Sequence, residues 1–203
     1  MNTFNVLING ILQLMLFSFI PFIWWLVKER KKYKFLEFIG LKRPILKDSQ
    51  YLIISILATI IIALLTFITI PNLIIDYKET AIGQFAGSGI SALLPALIFA
   101  FINTGLSEEI LFRGFIAKQL IRRYGFYKGN FLQGLVFGLL HGVLFFSLVG
   151  FLYTAIIIII TSILGWILGY INEKVYNGSI LPSWLIHAIA NYIGALIAMF
   201  NLI

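Results

Sequence analysis

Cysteine is absent from this sequence, and charged residues are scarce, at 11% of the chain. Without cysteine, disulfides, thiolate metal sites and a cysteine nucleophile are excluded. The only aspartates, Asp48 and Asp76, fall in predicted loops, so a Ser-His-Asp triad is excluded as well. With so few charged residues, 61% of the chain is hydrophobic. A soluble domain of 203 residues could not bury that much apolar surface, so a soluble fold is excluded. Lipid must therefore surround most of the chain.

Long apolar runs predict an all-α fold, a polytopic transmembrane helix bundle of about six spans that forms one domain over residues 1–203. A proline is expected to kink the first helix (Pro21) and another to end the second (Pro71). The third helix is either continuous or broken at Gly105. The predicted helices cover residues 6–27, 51–70 and 90–120, two spans within 131–171 that turn near 147–150, and 181–203.

Basic residues are concentrated in three stretches between the predicted helices. Residues 28–50, 118–130 and 172–180 hold 13 of the 15 lysines and arginines. Because basic loops are retained in the cytosol, this bias predicts a multi-pass protein of the cell (plasma) membrane with its N-terminus outside. The basic residues follow apolar segments directly, which indicates contact with the anionic surface of the lipid bilayer rather than with nucleic acid.

Two adjacent glutamates and an arginine interrupt the third predicted helix. A charged side chain in the middle of a span costs about 2.5–3.5 kcal/mol, so such residues mark candidate functional sites. Arg113 follows Glu109 by four residues, which predicts an ion pair on one helix face. Glu108 has no cation three or four residues further on, and it is the stronger candidate for chemistry.

The only histidines, His141 and His187, also lie in predicted spans. One buried histidine is more often structural than catalytic, but two in spans, with none elsewhere, favour a function. His187 and Asn191 share a helix face, so Asn191 either orients His187 or donates with it to one oxygen. Counted from the predicted cytosolic ends at 1.5 Å per residue, Glu108, His141 and His187 lie about 14, 15 and 9 Å deep, in one layer toward the cytosol.

Three short segments follow one another on the later helices: Glu108-Glu109-Ile-Leu-Phe-Arg113, Phe137-Gly-Leu-Leu-His141 and His187-Ala-Ile-Ala-Asn191. They resemble the E-E-x-x-x-R, F-x-x-x-H and H-x-x-x-N/D motifs of the CPBP (CAAX protease and bacteriocin-processing, or Abi) family. The resemblance covers about residues 90–203, the motif-bearing core. It implies an intramembrane endopeptidase related to the type II CAAX prenyl proteases.

The resemblance also implies roles for the motif residues. Glu108 and His141 would activate a water molecule, and His187 and Asn191 would stabilise the oxyanion. The substrate would be a peptide or protein in or at the membrane, either prenylated or a bacteriocin or signalling peptide. The implied supporting residues are Glu109 and Arg113.

The resemblance leaves the cofactor open, because the family is described both as metalloproteases and as metal-free, glutamate-dependent enzymes. A divalent metal such as zinc, if present, would be held by Glu108, His141 and His187. The sequence contains no H-E-x-x-H segment, which argues slightly against an obligatory metal.

Two other functional classes are consistent with polar residues in spans. One is a non-catalytic membrane protein that confers bacteriocin immunity by binding. The complete set of motif residues favours the enzyme over it, because binding alone would not need every polar position. The other is a transporter that uses Glu108 and His141 as a proton relay. The sequence has no second, inverted set of polar breaks, which argues against a transporter.

Overall fold

The computed structural model describes residues 2–46 and 79–202, together with Ile53, Leu57, Ile60 and Ile61. Over these residues the chain forms helices and turns and contains no strand, so the all-α prediction is confirmed. The predicted second span, residues 51–70, lies almost wholly outside the described residues.

Four helices in the described part are long and apolar enough to cross a membrane: α1 (Thr3–Glu29), α3 (Gly89–Tyr124), α4 (Phe126–Val175) and α5 (Leu181–Met199). A short helix, α2 (Phe35–Phe38), follows α1. The number is four rather than six because α4 contains both spans predicted within 131–171 and because the second predicted span is not described. The first helix continues through Pro21, and the last ends at Met199 rather than at the end of the chain.

Helix α4 is folded back on itself at Gly150. This glycine has φ 73° and ψ −179°, a backbone conformation that other residues rarely adopt. The two arms of α4, residues 126–149 and 151–175, pack antiparallel. A side chain at Gly138 would collide with Ser162, and one at Gly142 would collide with Ile158. Glycine therefore permits both the turn and the close contact of the arms, and the turn predicted near 147–150 is confirmed.

Helix α3 is continuous, so the alternative of a break at Gly105 was wrong. Its hydrogen-bonding pattern instead widens twice, into π-helical segments at Phe99–Leu106 and Ile110–Ala117. Between them lies one α-helical stretch, Ser107–Glu109, which carries both glutamates. Such π-helical turns are rare and are frequently found at functional sites.

Contacts with α5 explain how α3 passes Gly105 without breaking. A Cβ at Gly105 would lie 2.5 Å from the carbonyl oxygen of Ala100 and 3.2 Å from Cβ of Ala188 in α5. The indole nitrogen of Trp184 donates to the carbonyl of Phe101 at 2.7 Å. Gly105 thus leaves room for the π-helical segment and for α5. Trp184 of α5 then donates to a backbone carbonyl of that segment.

The described parts of the three basic loops lie together at one end of the bundle, referred to below as the basic end. At the C-terminal end of α3, Arg122 pairs with Glu29 of α1 at 2.9 Å. One turn earlier, Lys118 pairs with Glu173 of α4 at 2.7 Å and donates to the carbonyl of Gly178 at 2.8 Å. These parts therefore share one side of the bundle, and that this side faces the cytosol stays a prediction.

Residues 35–42, which we call the strap, pack across the basic end. Phe38 and Ile39 are buried against the cluster that contains Ile110 and Ile180. The amide of Ile180 donates to the carbonyl of Gly40 at 2.9 Å. The strap thus fixes the connection between α4 and α5 directly below the first turn of α5, which carries part of the candidate site.

Candidate active site

One histidine of α5 lies between the adjacent glutamates of α3. His187 Nδ1 is 3.1 Å from Glu109 Oε1, and His187 Nε2 is 3.8 Å from Glu108 Oε2. Both carboxylates therefore face protein rather than lipid, and each lies next to a different nitrogen of the same ring. Since the two nitrogens have distinct donor and acceptor roles, the glutamates are not equivalent.

Glu109 is the buried centre of this cluster, with none of its side chain exposed. Its Oε1 is 3.1 Å from Arg113 Nη1, so the predicted ion pair is present. Its Oε2 accepts a hydrogen bond from the hydroxyl of Ser183. Every group that contacts the carboxylate is thus a donor or a cation, which is the environment that a buried negative charge requires.

Arg113 connects the cluster to α4. Its guanidinium is buried and lies 4.1 Å above the ring of Phe137. The ring of Phe137 in turn meets the ring of His187 edge to face, with centroids 6.3 Å apart. A cation above an aromatic face is attracted to it, most strongly when water is excluded. Arg113 and Phe137 therefore hold three helices together around His187.

Glu108 has a different environment from its neighbour. Its side chain is 17% exposed, and its Oε2 is buried without a hydrogen bond to any described residue. Its Oε2 lies 3.8 Å from His187 Nε2, which is longer than a hydrogen bond. Glu108 is therefore the carboxylate of the pair that retains the capacity to bind a further group.

His141 faces the same cluster from α4. Its Nδ1 is 2.9 Å from the carbonyl oxygen of Phe137, one turn back on its own helix. A carbonyl only accepts, so Nδ1 is the donor and, in a neutral ring, Nε2 is left as the acceptor. The ring centroids of His141 and Phe137 lie 4.3 Å apart, so His141 lies beside the ring that also contacts Arg113 and His187. That Glu108, His141 and His187 act together stays a prediction.

Asn191 lies one turn beyond His187 on α5, and its side chain has another partner. Its amide nitrogen donates to the hydroxyl of Thr104 on α3 at 2.8 Å. Of the two alternatives for Asn191, the contacts do not support the one in which it orients His187, because Glu109 contacts that ring and Asn191 contacts Thr104. Thr104 and Asn191 form a second contact between α3 and α5, one turn from the contact of Glu108 with His187.

The family model described as "Type II CAAX prenyl endopeptidase Rce1-like" matches residues 90–193. The chain belongs to this family. The matched range includes every residue of the candidate site, from Thr104 to Asn191. At the level of the Rce1-like family, the chain is a CAAX-type intramembrane endopeptidase, and its substrate is a peptide or protein. No curated protein and no solved structure matches the chain.

The three residues that would hold a divalent metal in this Rce1-like chain, Glu108, His141 and His187, do not form a metal site. Among the described residues, no three His, Asp or Glu side chains converge so that they could hold a metal ion. A catalytic zinc needs three protein ligands around one point, and the described side chains do not provide such a set. The chemistry proposed below therefore uses the side chains alone.

Three polar residues of the site were not predicted from the sequence. Ser183 contacts Glu109, Asn172 contacts Ser183, and Thr104 contacts Asn191. A signal for two of them was present, because Ser183 precedes His187 by four residues and Thr104 precedes Glu108 by four. Asn172 carried no such signal, since it lies in a predicted loop and reaches the site only through the fold.

Proposed function

We propose that this chain hydrolyses a peptide bond of a membrane-associated peptide or protein with a water molecule activated by Glu108 and His141. The observation that carries the proposal is the contrast between the two glutamates. Glu109 is fully engaged by Arg113, His187 and Ser183. Glu108 Oε2 instead lies 3.8 Å from His187 Nε2 and forms no hydrogen bond with a described residue. We place this site toward the cytosolic side of the plasma membrane, because the basic loops lie at one end of the bundle.

Water activation follows from the two acceptors. Glu108 takes a proton from water, and Nε2 of His141 accepts the second hydrogen bond of the same water, because its Nδ1 already donates to Phe137. The water oxygen then attacks the carbonyl carbon of the substrate. The protonated Glu108 passes its proton to the leaving nitrogen, so that one carboxyl group acts first as base and then as acid.

Oxyanion stabilisation requires donors, and the geometry restricts how His187 can supply one. Its Nδ1 hydrogen is directed to Glu109, so Nε2 donates to an oxyanion only when the ring carries a second proton. Asn191 keeps a second amide hydrogen after donating to Thr104, and it is the other proposed donor.

The substrate class follows from the family rather than from a contact in the structure. The family description names CAAX prenyl endopeptidases, and we propose that the chain cleaves a prenylated peptide near its C-terminus. An unprenylated peptide of the same sequence is the comparison that tests this part of the proposal.

The decisive experiment uses Glu108→Gln and His141→Ala in the protein reconstituted into lipid vesicles. Loss of the base or of its partner lowers peptide cleavage by about 10²–10⁴-fold, the usual contribution of general acid–base catalysis. Glu37→Gln is the matched control, because it makes the same chemical change on an exposed residue of α2. Undiminished cleavage by both site variants would rule out the proposed water activation.

A further inference from the structure

We infer that Ser183 and Asn172 are positioning residues, which hold Glu109 and through it determine which nitrogen of His187 faces the site. The inference rests on the proposed function, since it assigns a purpose to the orientation of His187. Neither residue belongs to the three motifs, and neither touches Glu108 or His141 in a recorded contact. They act through Glu109.

The contact between Asn172 and Ser183 joins two helices at the basic end. Asn172 lies in the last, π-helical turn of α4, and Ser183 lies in the first turn of α5; both are buried. The Asn172 amide nitrogen donates to Ser183 Oγ at 2.7 Å, and its amide oxygen accepts from the backbone nitrogen of Ser183 at 3.3 Å. Backbone N–H groups in a first helical turn have no partner within their helix, so Asn172 caps α5 from outside.

This double contact determines where the hydroxyl proton of Ser183 goes. A hydroxyl has one proton to donate, and two acceptors are near it, the carboxylate of Glu109 and the carbonyl of Ile180 at 3.1 Å. The Asn172 amide donates to a lone pair of Ser183 Oγ, so this oxygen accepts from Asn172. A hydrogen bond to a charged acceptor is roughly twice as strong as one to a neutral acceptor, so the proton is directed to Glu109.

With Oε2 held by Ser183, the other oxygen of Glu109 is fixed at 3.1 Å from both Nδ1 of His187 and Nη1 of Arg113. A carboxylate on one ring nitrogen keeps the proton there and selects the tautomer. Nε2 is then presented to Glu108 at 3.8 Å. The order of contacts is therefore Asn172, Ser183, Glu109, His187 and Glu108.

Nitrogen NMR of the histidine rings tests this inference directly, because the chain contains only two histidines. In protein labelled with ¹⁵N-histidine, His141→Ala removes one ring and assigns the other to His187. We expect Nδ1 of His187 to be protonated in the otherwise unchanged protein. In Ser183→Ala and in Asn172→Ala, the proton should become distributed over both nitrogens, whereas Ser183→Thr, which keeps the hydroxyl, should restore the original signal.

Kinetics provide the second measurement, with His141 intact. Misplacement of a reacting group by about 1 Å can cost 10²-fold in rate, so Ser183→Ala should lower kcat about 10- to 100-fold and leave KM within about twofold. Ser183→Thr should recover most of this loss. The matched control is Ser107→Ala, which removes an equally buried hydroxyl whose recorded hydrogen bond stays within its own helix, to the carbonyl of Ile102.

The outcomes separate this inference from the proposed function. An unchanged His187 signal in folded Ser183→Ala would overturn the inference, and so would equal losses of kcat in Ser183→Ala and Ser107→Ala. If Ser183→Ala does not fold, Asn172→Ala and Ser183→Thr decide in the same way. If the unchanged protein cleaves no peptide, the proposed function fails, while the NMR comparison still decides whether Ser183 positions His187.

Discussion

Two clusters of buried polar side chains in the described part of this protein differ in charge. The hairpin cluster, Asn130 and Gln133 of α4, consists of neutral amides that donate to carbonyls of the opposite arm. Asn130 donates to Trp166 at 2.8 Å, and Gln133 donates to Gly165 at 2.7 Å. The site cluster of Glu108, Glu109, Arg113 and His187 instead contains two carboxylates, a guanidinium and an imidazole.

Each cluster also includes a buried oxygen that forms no hydrogen bond with the described residues: Oε1 of Gln133 in one, Oε2 of Glu108 in the other. An unpaired oxygen alone therefore does not identify a catalytic group. The amide oxygen of Gln133 is neutral and cannot take up a proton at ordinary pH, whereas the carboxylate of Glu108 can. Neutral amides therefore join the arms of α4, whereas the site cluster contains a carboxylate that can take up a proton, as the proposed reaction requires.

Removing a charge from the centre of the site cluster should have the largest effect. Glu109→Gln leaves Arg113 buried without its carboxylate, and a broken buried ion pair costs about 3–5 kcal/mol. We therefore expect both a lower stability, measured by denaturant titration in detergent, and a loss of cleavage. An unchanged unfolding midpoint would mean that the charge of Glu109 is not needed to hold Arg113, and the contrast between the two clusters would fail.

Removing the amide from the hairpin cluster should have a smaller effect of a different kind. Gln133→Leu deletes the donor to Gly165, and hydrogen bonds between membrane helices contribute about 0.6 kcal/mol on average and at most about 1.7 kcal/mol. Stability should fall by this amount, whereas cleavage per folded molecule should stay within about twofold. A loss of cleavage as severe as that in Glu108→Gln would show instead that the hairpin cluster takes part in the reaction.

Removing metal ions should have the smallest effect. Because the site side chains do not converge as a three-ligand set, a strong chelator should change the cleavage rate by less than about twofold. The measurement is the rate before and after chelation and after addition of zinc. Loss of activity on chelation and its recovery with zinc would show that the histidines rearrange around a metal during catalysis.

Much of the fold could be predicted because lipid imposes simple rules on the sequence. The apolar runs located the helices, and the basic residues identified the loops that meet at one end. The turn at Gly150 was expected because the almost unbroken apolar stretch 131–171, which has 41 residues, is too long for one span. The π-helical segments of α3 could not be predicted, because the change from i→i+4 to i→i+5 hydrogen bonds does not alter the pattern of apolar residues.

The candidate site was predicted where residues are related by local spacing. Arg113 and Glu109 are four apart on one helix, so their ion pair followed from the sequence. The partners of His187 did not, because helix spacing pointed only to Asn191, whereas the contact with Glu109 depends on how α5 is rotated against α3. Ser183 and Asn172 meet only because the strap and the basic loops fix the connection between α4 and α5, which is a property of the whole fold.

The widened turns of α3 have a consequence for how this protein can vary. An i→i+5 hydrogen bond encloses one residue more than an α-helical one, so the segment Phe99–Leu106 acts as a built-in insertion. Deletion of a single residue there would allow the ordinary ladder to close and would rotate everything before it by about 100° relative to Glu108. If the deleted residue lay between Thr104 and Glu108, these two side chains would no longer lie on the same face toward α5. The number of residues in this stretch is therefore constrained by the packing of α3 against α5.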